Sequence, residues 1–480
     1  MSGLRERLLR HKKTEQAAPS AAAPAEISRE ADEQGEWSFI GAQMEHNERG
    51  SFVLRRIRYG NDFRHGRYAI GDLEGQADEL LSILLPGDVE AAAEGMPYDK
   101  LLYLDTETTG LGVGAGNVAF MIGIGFYEDR QFVVEQMFIR NPAEELAMLH
   151  HLQERLQRHP YLVSYNGKTF DWPLIKNRYI LNRIPSEPDI AGHLDFLYPS
   201  RSLWKHTLPS CRLGKVEEDR LHVERQDDLP GSMAPALYFQ YLADKDATVV
   251  KGIFIHNELD ILSLAGLSIH FARILRGEFS LSEMGLEEHF RLGLWFLKLQ
   301  LSSYAEDVLD QLKERLLQDD SGEQEEDYLL PLAQVYKQTH DYETACRLWT
   351  AYVLRKGHRS MASVEPYIEL SMHYEHREKR LLLALQYAEE ALNKARQRKS
   401  LARPGLLGAR GRKGMTSEEK KQNDQTAELE KRLARLKSKI ERLNNVNPAA
   451  RKASEASGRR SGSRRRAAGG ETGYSMDSLI

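Results

Sequence analysis

Apolar residues change their rhythm several times along the 480 positions, and each change predicts a different kind of structure. Residues 1–36 carry apolar periodicity only between Leu4 and Leu9 and are otherwise rich in Ala, Glu, Ser and Pro, which reads as a disordered lead-in. Residues 37–98 read as a small cover segment with a strand at 52–59 (FVLRRIRY), closed by the turn residues Gly60, Asn61 and Asp62. From Leu101 the pattern becomes that of an α/β domain. The short run LLYL precedes strands at 118–126 and 132–139, joined by a hairpin turn at Glu128-Asp129-Arg130. A helix follows at 142–158, with Asn141 as N-cap and Pro142 in its first position, then a strand at 161–165 and a helix at 171–182. A long helix closes the region near Arg276. A strand hairpin followed by helix, strand and helix implies a mixed sheet flanked by helices.

Residues 287–394 have helical spacing throughout. Tyr304-Ala305, Tyr342 with Ala345, and Leu383-Ala384 recur at about forty-residue intervals near helix starts, and Leu332 with Tyr336 and Leu370 with Tyr374 mark the helices before them. That is the form of stacked helical hairpins, although an ordinary helical bundle fits as well. In the tail, 395–480, Leu429, Leu433, Leu436, Ile440 and Leu443 form a short apolar seam on an amphipathic helix at 418–444. Past Asn447-Pro448 the chain is mostly Ser, Gly, Ala and Arg and reads as disordered.

Charge sharpens this division. The net charge of −5 conceals −19 over residues 1–390 and +14 over 391–480, so the tail is suited to an anionic partner. Two cysteines, Cys211 and Cys346, exclude a disulfide scaffold, and no apolar run approaches membrane-spanning length. These features point to a cytoplasmic protein without membrane contact.

The chemistry lies between Leu101 and Leu264. In LLYLDTETTG, Asp105 and Glu107 share one face of a strand end, a repulsive pair best tolerated with cations between them. In SYNGKTFDWPLI, Asp171 opens a helix and, taken alone, is no more than an N-cap. In IFIHNELDILSL, His256 and Asp260 are four apart on one face of an apolar helix, whereas Glu258 projects away into solvent. Gly110, Gly112, Gly114 and Gly116 are not a P-loop, because no Gly-Lys-Ser/Thr follows them.

Together these three motifs resemble the DEDD 3′–5′ exonuclease superfamily, and in particular the YprB-type ribonuclease H-like domain family, whose members pair such a domain with C-terminal helical repeats. The segments HLDFLYPSRSLW, LPSCRLGKVE and DLPGSMAPALYFQYL support the same resemblance. It implies an α/β ribonuclease H-like fold at 99–276, followed by an all-α domain of TPR-like helical hairpins at 287–394. Carried over residue by residue, it implies that Asp105, Glu107, Asp171 and Asp260 hold two divalent cations, Mg²⁺ or Mn²⁺. It further implies that His256 acts as general base or orients the attacking water. Here the chain departs from the family pattern: the histidine subfamily places its His five positions before the last Asp, whereas His256 has the four-residue spacing of the tyrosine subfamily. The substrate implied is single-stranded DNA or RNA. Asn166, Lys168 and Phe170 in the second motif are candidates to contact it, with Arg201 and Lys205 meeting phosphates and Trp204 stacking a base. His193 and Asp195 form an H-x-D pair suited either to substrate or to inter-strand hydrogen bonding. The helical repeats would recruit a protein partner. The rival expectation is a non-catalytic scaffold that binds nucleic acid or protein through the same domains.

Overall fold

The structure, a computed structural model, describes residues 35–84, 95–110, 114, 116–184, 190–226, 228–282, 284–318, 325–401 and 417–446. The lead-in up to residue 34, Gly112 and the arginine-rich tail beyond 446 lie outside the described residues. The chain divides into two compact units that part at Phe279 and Ser280, with Lys298–Gln300 grouped with the first.

In the first unit β1 (Ala42–Asn47) and β2 (Gly50–Tyr59) form a hairpin, and β3 (Arg64–His65) and β4 (Tyr68–Ala69) form a separate two-stranded ladder. Then come β5 (Leu101–Thr108), β6 (Ala119–Glu128), β7 (Gln131–Phe138), α1 (Glu145–Arg158), β8 (Tyr161–Ser164) and α2 (Asp171–Leu181). β9 (Gly192–Asp195), α3 (Leu197–Trp204), α4 (Ala234–Asp244) and α5 (Lys251–Leu275) complete the unit. Seven strands form one mixed sheet in the order β1-β2-β7-β6-β5-β8-β9. β5, β8 and β9 run parallel, and the other pairings are antiparallel. Residues 37–98 are therefore more than a cover, because β2 pairs with β7 from Val53↔Phe138 to Tyr59↔Phe132 and extends the main sheet. Nothing local in 52–59 could reveal a partner strand some eighty residues further on.

The hairpin between β6 and β7 turns on Asp129 and Arg130, whose φ angles of 51° and 59° are the left-handed pair that a two-residue connection needs. Asn141 caps the start of the next helical segment, accepting from the Ala143 amide at 3.0 Å. Successive residues of β7 reveal what covers the sheet. Glu135 meets His151 and Arg155 of α1, while Gln136 meets Phe254 and Asn257 of α5. Neighbouring side chains of a strand point to opposite faces, so α1 and α5 lie on opposite sides of the sheet. That is why LLYL in β5 and VAFMIGIGF around β6 are apolar without alternation. α5 comes unusually close to β6. A Cβ at Gly123 would sit 2.0 Å from Asn257 Oδ1, and one at Gly125 would sit 2.6 Å from Ile261.

The second unit is helical: α6 (Leu286–Lys298), α7 (Ser302–Leu317), α8 (Leu329–Gln338), α9 (Tyr342–Lys356), α10 (Glu365–His376), α11 (Leu381–Leu401) and α12 (Ser417–Val446). α8 packs with α9 and α10 with α11, and the recurring Ala345 and Ala384 are fully buried where these helices meet. Tyr374 and Tyr387 stack at 5.6 Å with rings 5° from parallel. α12 adds Leu429, Leu433 and Leu436 to this core and packs on α11, whereas Leu443 stays exposed. The apolar seam of the tail thus serves the helical unit rather than a coiled coil. Among the described residues no helix is long and apolar enough to cross a membrane.

Candidate active site

The carboxylates of the sequence motifs gather at the C-terminal ends of the parallel strands, the usual place for a site in an open α/β sheet. Asp105 lies opposite Gly123 in the β5–β6 pairing. Asn257 Nδ2 donates to Asp105 Oδ2 at 2.9 Å, and Asn257 Oδ1 accepts from Gln136 Nε2 at 3.0 Å. Gln136 Nε2 also donates to the Phe254 carbonyl at 2.7 Å, and Arg55 donates to Gln136 Oε1 at 2.8 Å. This chain of bonds, running from β2 through β7 to α5, fixes the amide that orients Asp105.

Glu107 lies two residues along β5, just before a bulge where the β6 register skips at Thr108. Thr106 points the other way and donates its hydroxyl to Asp171 Oδ1. Asp171 is not a cap. It is 6% exposed in the first turn of α2, and the N-cap residue Phe170 makes no side-chain bond. The turn before it is held by Asp195, whose carboxylate accepts from the amides of Asn166 at 2.8 Å, Lys168 at 3.0 Å and Leu197 at 3.0 Å. Asn166 sits at φ 68°, in the left-handed region that Asn tolerates. His193 Nε2 lies 2.7 Å from Ser164 Oγ, so the H-x-D pair serves inter-strand and turn bonding.

On α5, His256 Nε2 and Asp260 Oδ2 are 3.5 Å apart, as their spacing predicts. His256 Nδ1 lies 2.9 Å from both oxygens of Asp228 and 3.3 Å from Arg225 Nη1. Arg225 forms the centre of this cluster. It donates to both oxygens of Glu217, to Asp228 Oδ2 at 2.9 Å and to Asp260 Oδ1. Glu217 in turn accepts from Ser263, whose Oγ lies 2.8 Å from His65 Nε2. Glu258 departs from expectation: it is not solvated but accepts from Arg55 and Tyr59, because β2 covers that side of α5.

The electrostatics are those of crowded acids. Burial, then Asp260, Asp171 and Glu107, push the Asp105 carboxyl well above its usual range, and the Asn257 bond offsets only part of this. Glu107 is pushed up to about 8 by burial and by Asp260, Asp171 and Asp228. Asp171 is pushed up to about 6, chiefly by burial, with the Thr106 bond opposing. Burial also works against ionisation of Asp228, but the bonds from His256 and Arg225 prevail and hold it below the ordinary carboxylate value. Buried, mutually repelling oxygen donors suit a hard divalent cation. Yet among the described residues no three carboxylate, imidazole or thiolate groups converge as a ligand set.

The substrate candidates separate by exposure. Asn166 and Lys168 are exposed on the turn, Phe170 is half-buried, and Arg201 and Lys205 are exposed on and just after α3. Trp204 is wholly buried, 5.4 Å from Phe271 and 5.6 Å from His270, with the Arg220 guanidinium 5.0 Å over its ring. It is a core residue with no face for a base, correcting its place among the stacking candidates.

The family model of the RNase_H superfamily matches residues 102–272, the stretch that holds every carboxylate of this site. The uncharacterized protein YprB of Bacillus subtilis (strain 168) is 33% identical over 365 residues, covering 75% of this chain and 85% of that protein. This chain belongs to the YprB family. The ribonuclease H-like domain and the helical region after it are thus features of a YprB-family protein. Sequence reasoning missed Thr106, Glu217, Arg225, Asp228 and Asn257 of this site. Asp228 stands in the DLPG segment and Asn257 beside His256, so both were within quoted motifs, but only the tertiary contacts assign them a task.

Proposed function

We propose that this YprB-family protein is a metal-dependent nuclease that removes nucleotides from the 3′ end of single-stranded DNA or RNA. The observation that carries this reading is the crowding of the half-buried Asp105 with the buried Glu107 and Asp171 at the strand ends, each with its carboxyl raised. A fold keeps such repulsion where a cation is to be bound. Asp105, Glu107, Asp171 and Asp260 are the residues to hold two divalent cations, Mg²⁺ or Mn²⁺. Bound there, such ions supply Lewis-acid activation of water and charge neutralisation at the leaving oxygen. The chain's own residues do the rest. Asn257 holds Asp105, Thr106 holds Asp171, and Asp195 holds the turn that carries Lys168 toward a phosphate. His256, its Nδ1 held against Asp228, offers Nε2 to orient water or accept its proton. Its four-residue spacing from Asp260, one position short of the histidine subfamily's, favours the orienting task, because one helical position rotates a side chain by about 100°.

The rival reading, a scaffold that binds nucleic acid or protein without cutting, draws on the Arg225–Asp260 ion pair, which neutralises one acid without a metal. Digestion of 5′-labelled single-stranded DNA and RNA, with Mg²⁺, Mn²⁺ or chelator and with Asp105→Asn alongside, separates the two. A metal-dependent ladder absent from the variant supports the nuclease and names its preferred sugar. Substrate bound but uncut under every condition favours the scaffold.

A further inference from the structure

Asp260 differs from Asp105, Glu107 and Asp171 in that it is paired with a guanidinium. Oδ1 accepts from Arg225 Nη2, and Oδ2 faces His256 Nε2 at 3.5 Å. From this we infer that Arg225 is an internal cation that competes with a divalent ion for Asp260, so that metal binding at this carboxylate proceeds by displacing a guanidinium. The inference rests on the nuclease reading above and adds how its site is loaded.

Arg225 is built to let Asp260 go and remain in place. Its Nε and Nη2 hold the two oxygens of Glu217, and Nη1 holds Asp228 at 2.9 Å, so three of its four carboxylate contacts survive when Asp260 leaves. Glu217 is buried and anchored again by Ser263, which ties the guanidinium to that side of the cluster. Arginine does not lose its proton in proteins, so raising the pH does not clear the position, whereas a competing cation does. A divalent ion brings twice the charge and direct ligation. An opposite role is physically reasonable: an outer hydrogen bond that orients Asp260 for the metal. The two roles predict opposite signs when the guanidinium is removed.

The experiment is Mn²⁺ titration of the full chain followed by electron paramagnetic resonance of free Mn²⁺, a readout that needs no turnover. Arg225→Gln removes the competitor but leaves Glu217 as an unpaired buried charge. Glu217→Gln/Arg225→Met removes both charges and carries the test if the single variant does not fold. Competition predicts that at least one Mn²⁺ site tightens by about five-fold or more in a folded variant, and that adding Asp260→Asn erases the gain. Unchanged or weaker Mn²⁺ affinity in a folded variant overturns the inference and leaves the nuclease reading standing. Absence of Mn²⁺ binding in the wild type and in every variant overturns both.

Discussion

Glu107→Gln should make the metal-free protein more stable, by an amount that grows with pH. The folded carboxyl is pushed up to about 8 from an ordinary 4.5, first by burial and then by Asp260, Asp171 and Asp228. Between those values the unfolded chain has released a proton that the folded protein still holds. Wild-type stability therefore falls as pH rises through this window, by about 1.4 kcal/mol per pH unit for one proton. Across the whole window the cost is on the order of 4–5 kcal/mol, and glutamine escapes it. At about 2–4 °C per kcal/mol for a domain of this size, the variant should unfold roughly ten degrees above the wild type at pH 8 and near it at pH 5. Taking the difference between the proteins matters because His65, His193 and His270, held neutral by burial down to about 4, 3 and 3, give the opposite slope below their ordinary 6.5. Those histidines are common to both proteins and cancel. The assay is thermal and urea unfolding with chelator at pH 5, 6, 7 and 8, repeated with Mg²⁺ or Mn²⁺. With metal the gap should narrow at pH 8 and reverse at pH 5 and 6, since an ion at a hundred times its Kd adds about 2.7 kcal/mol to the protein that keeps the carboxylate. A stability difference that is flat in pH, or that favours the wild type without metal, would refute the electrostatic reasoning.

Other perturbations test the remaining parts of the site and the fold. On the nuclease reading, Asp105→Asn should abolish hydrolysis while circular dichroism stays native, because it removes one charge of the proposed metal site with almost no change in volume. His256→Ala should lower the rate and spare Mn²⁺ binding; an unchanged rate would remove His256 from the chemistry. Gly123→Ala places a methyl 2.0 Å from Asn257 Oδ1, so it should cost about 1–3 kcal/mol and weaken hydrolysis through Asp105; a silent variant would show that the Asn257 contact is dispensable. Trp204→Phe should lower stability and leave nucleic-acid affinity unchanged, as measured by fluorescence anisotropy. Glu375→Gln should speed amide exchange in α12, because Arg432, Arg435 and Lys439 converge on that carboxylate at 3.4, 2.7 and 2.6 Å.

The amino-acid sequence by itself determined the elements whose signals are local. The hairpin turn at Asp129-Arg130, the Asn141 cap, the LLYL strand and the i,i+4 pairing of His256 with Asp260 depend on neighbours a few residues away, and all were legible there. The motif order also identified the ribonuclease H-like fold and the family. Only the tertiary structure decided what depends on distant partners. β1 and β2 joined the main sheet because β7 offered them an edge. Trp204 went to the core and Glu258 to Arg55 and Tyr59, since burial depends on what packs above a residue and not on its type. Asp171 turned from its helix cap toward Thr106. Arg225, with no motif of its own, came to stand between Glu217, Asp228 and Asp260, where its charge is felt through space by groups that lie three to thirty-five positions away. Coulomb forces and hydrogen bonds act over a few ångströms whatever the separation along the chain, and that proximity exists only in the folded protein.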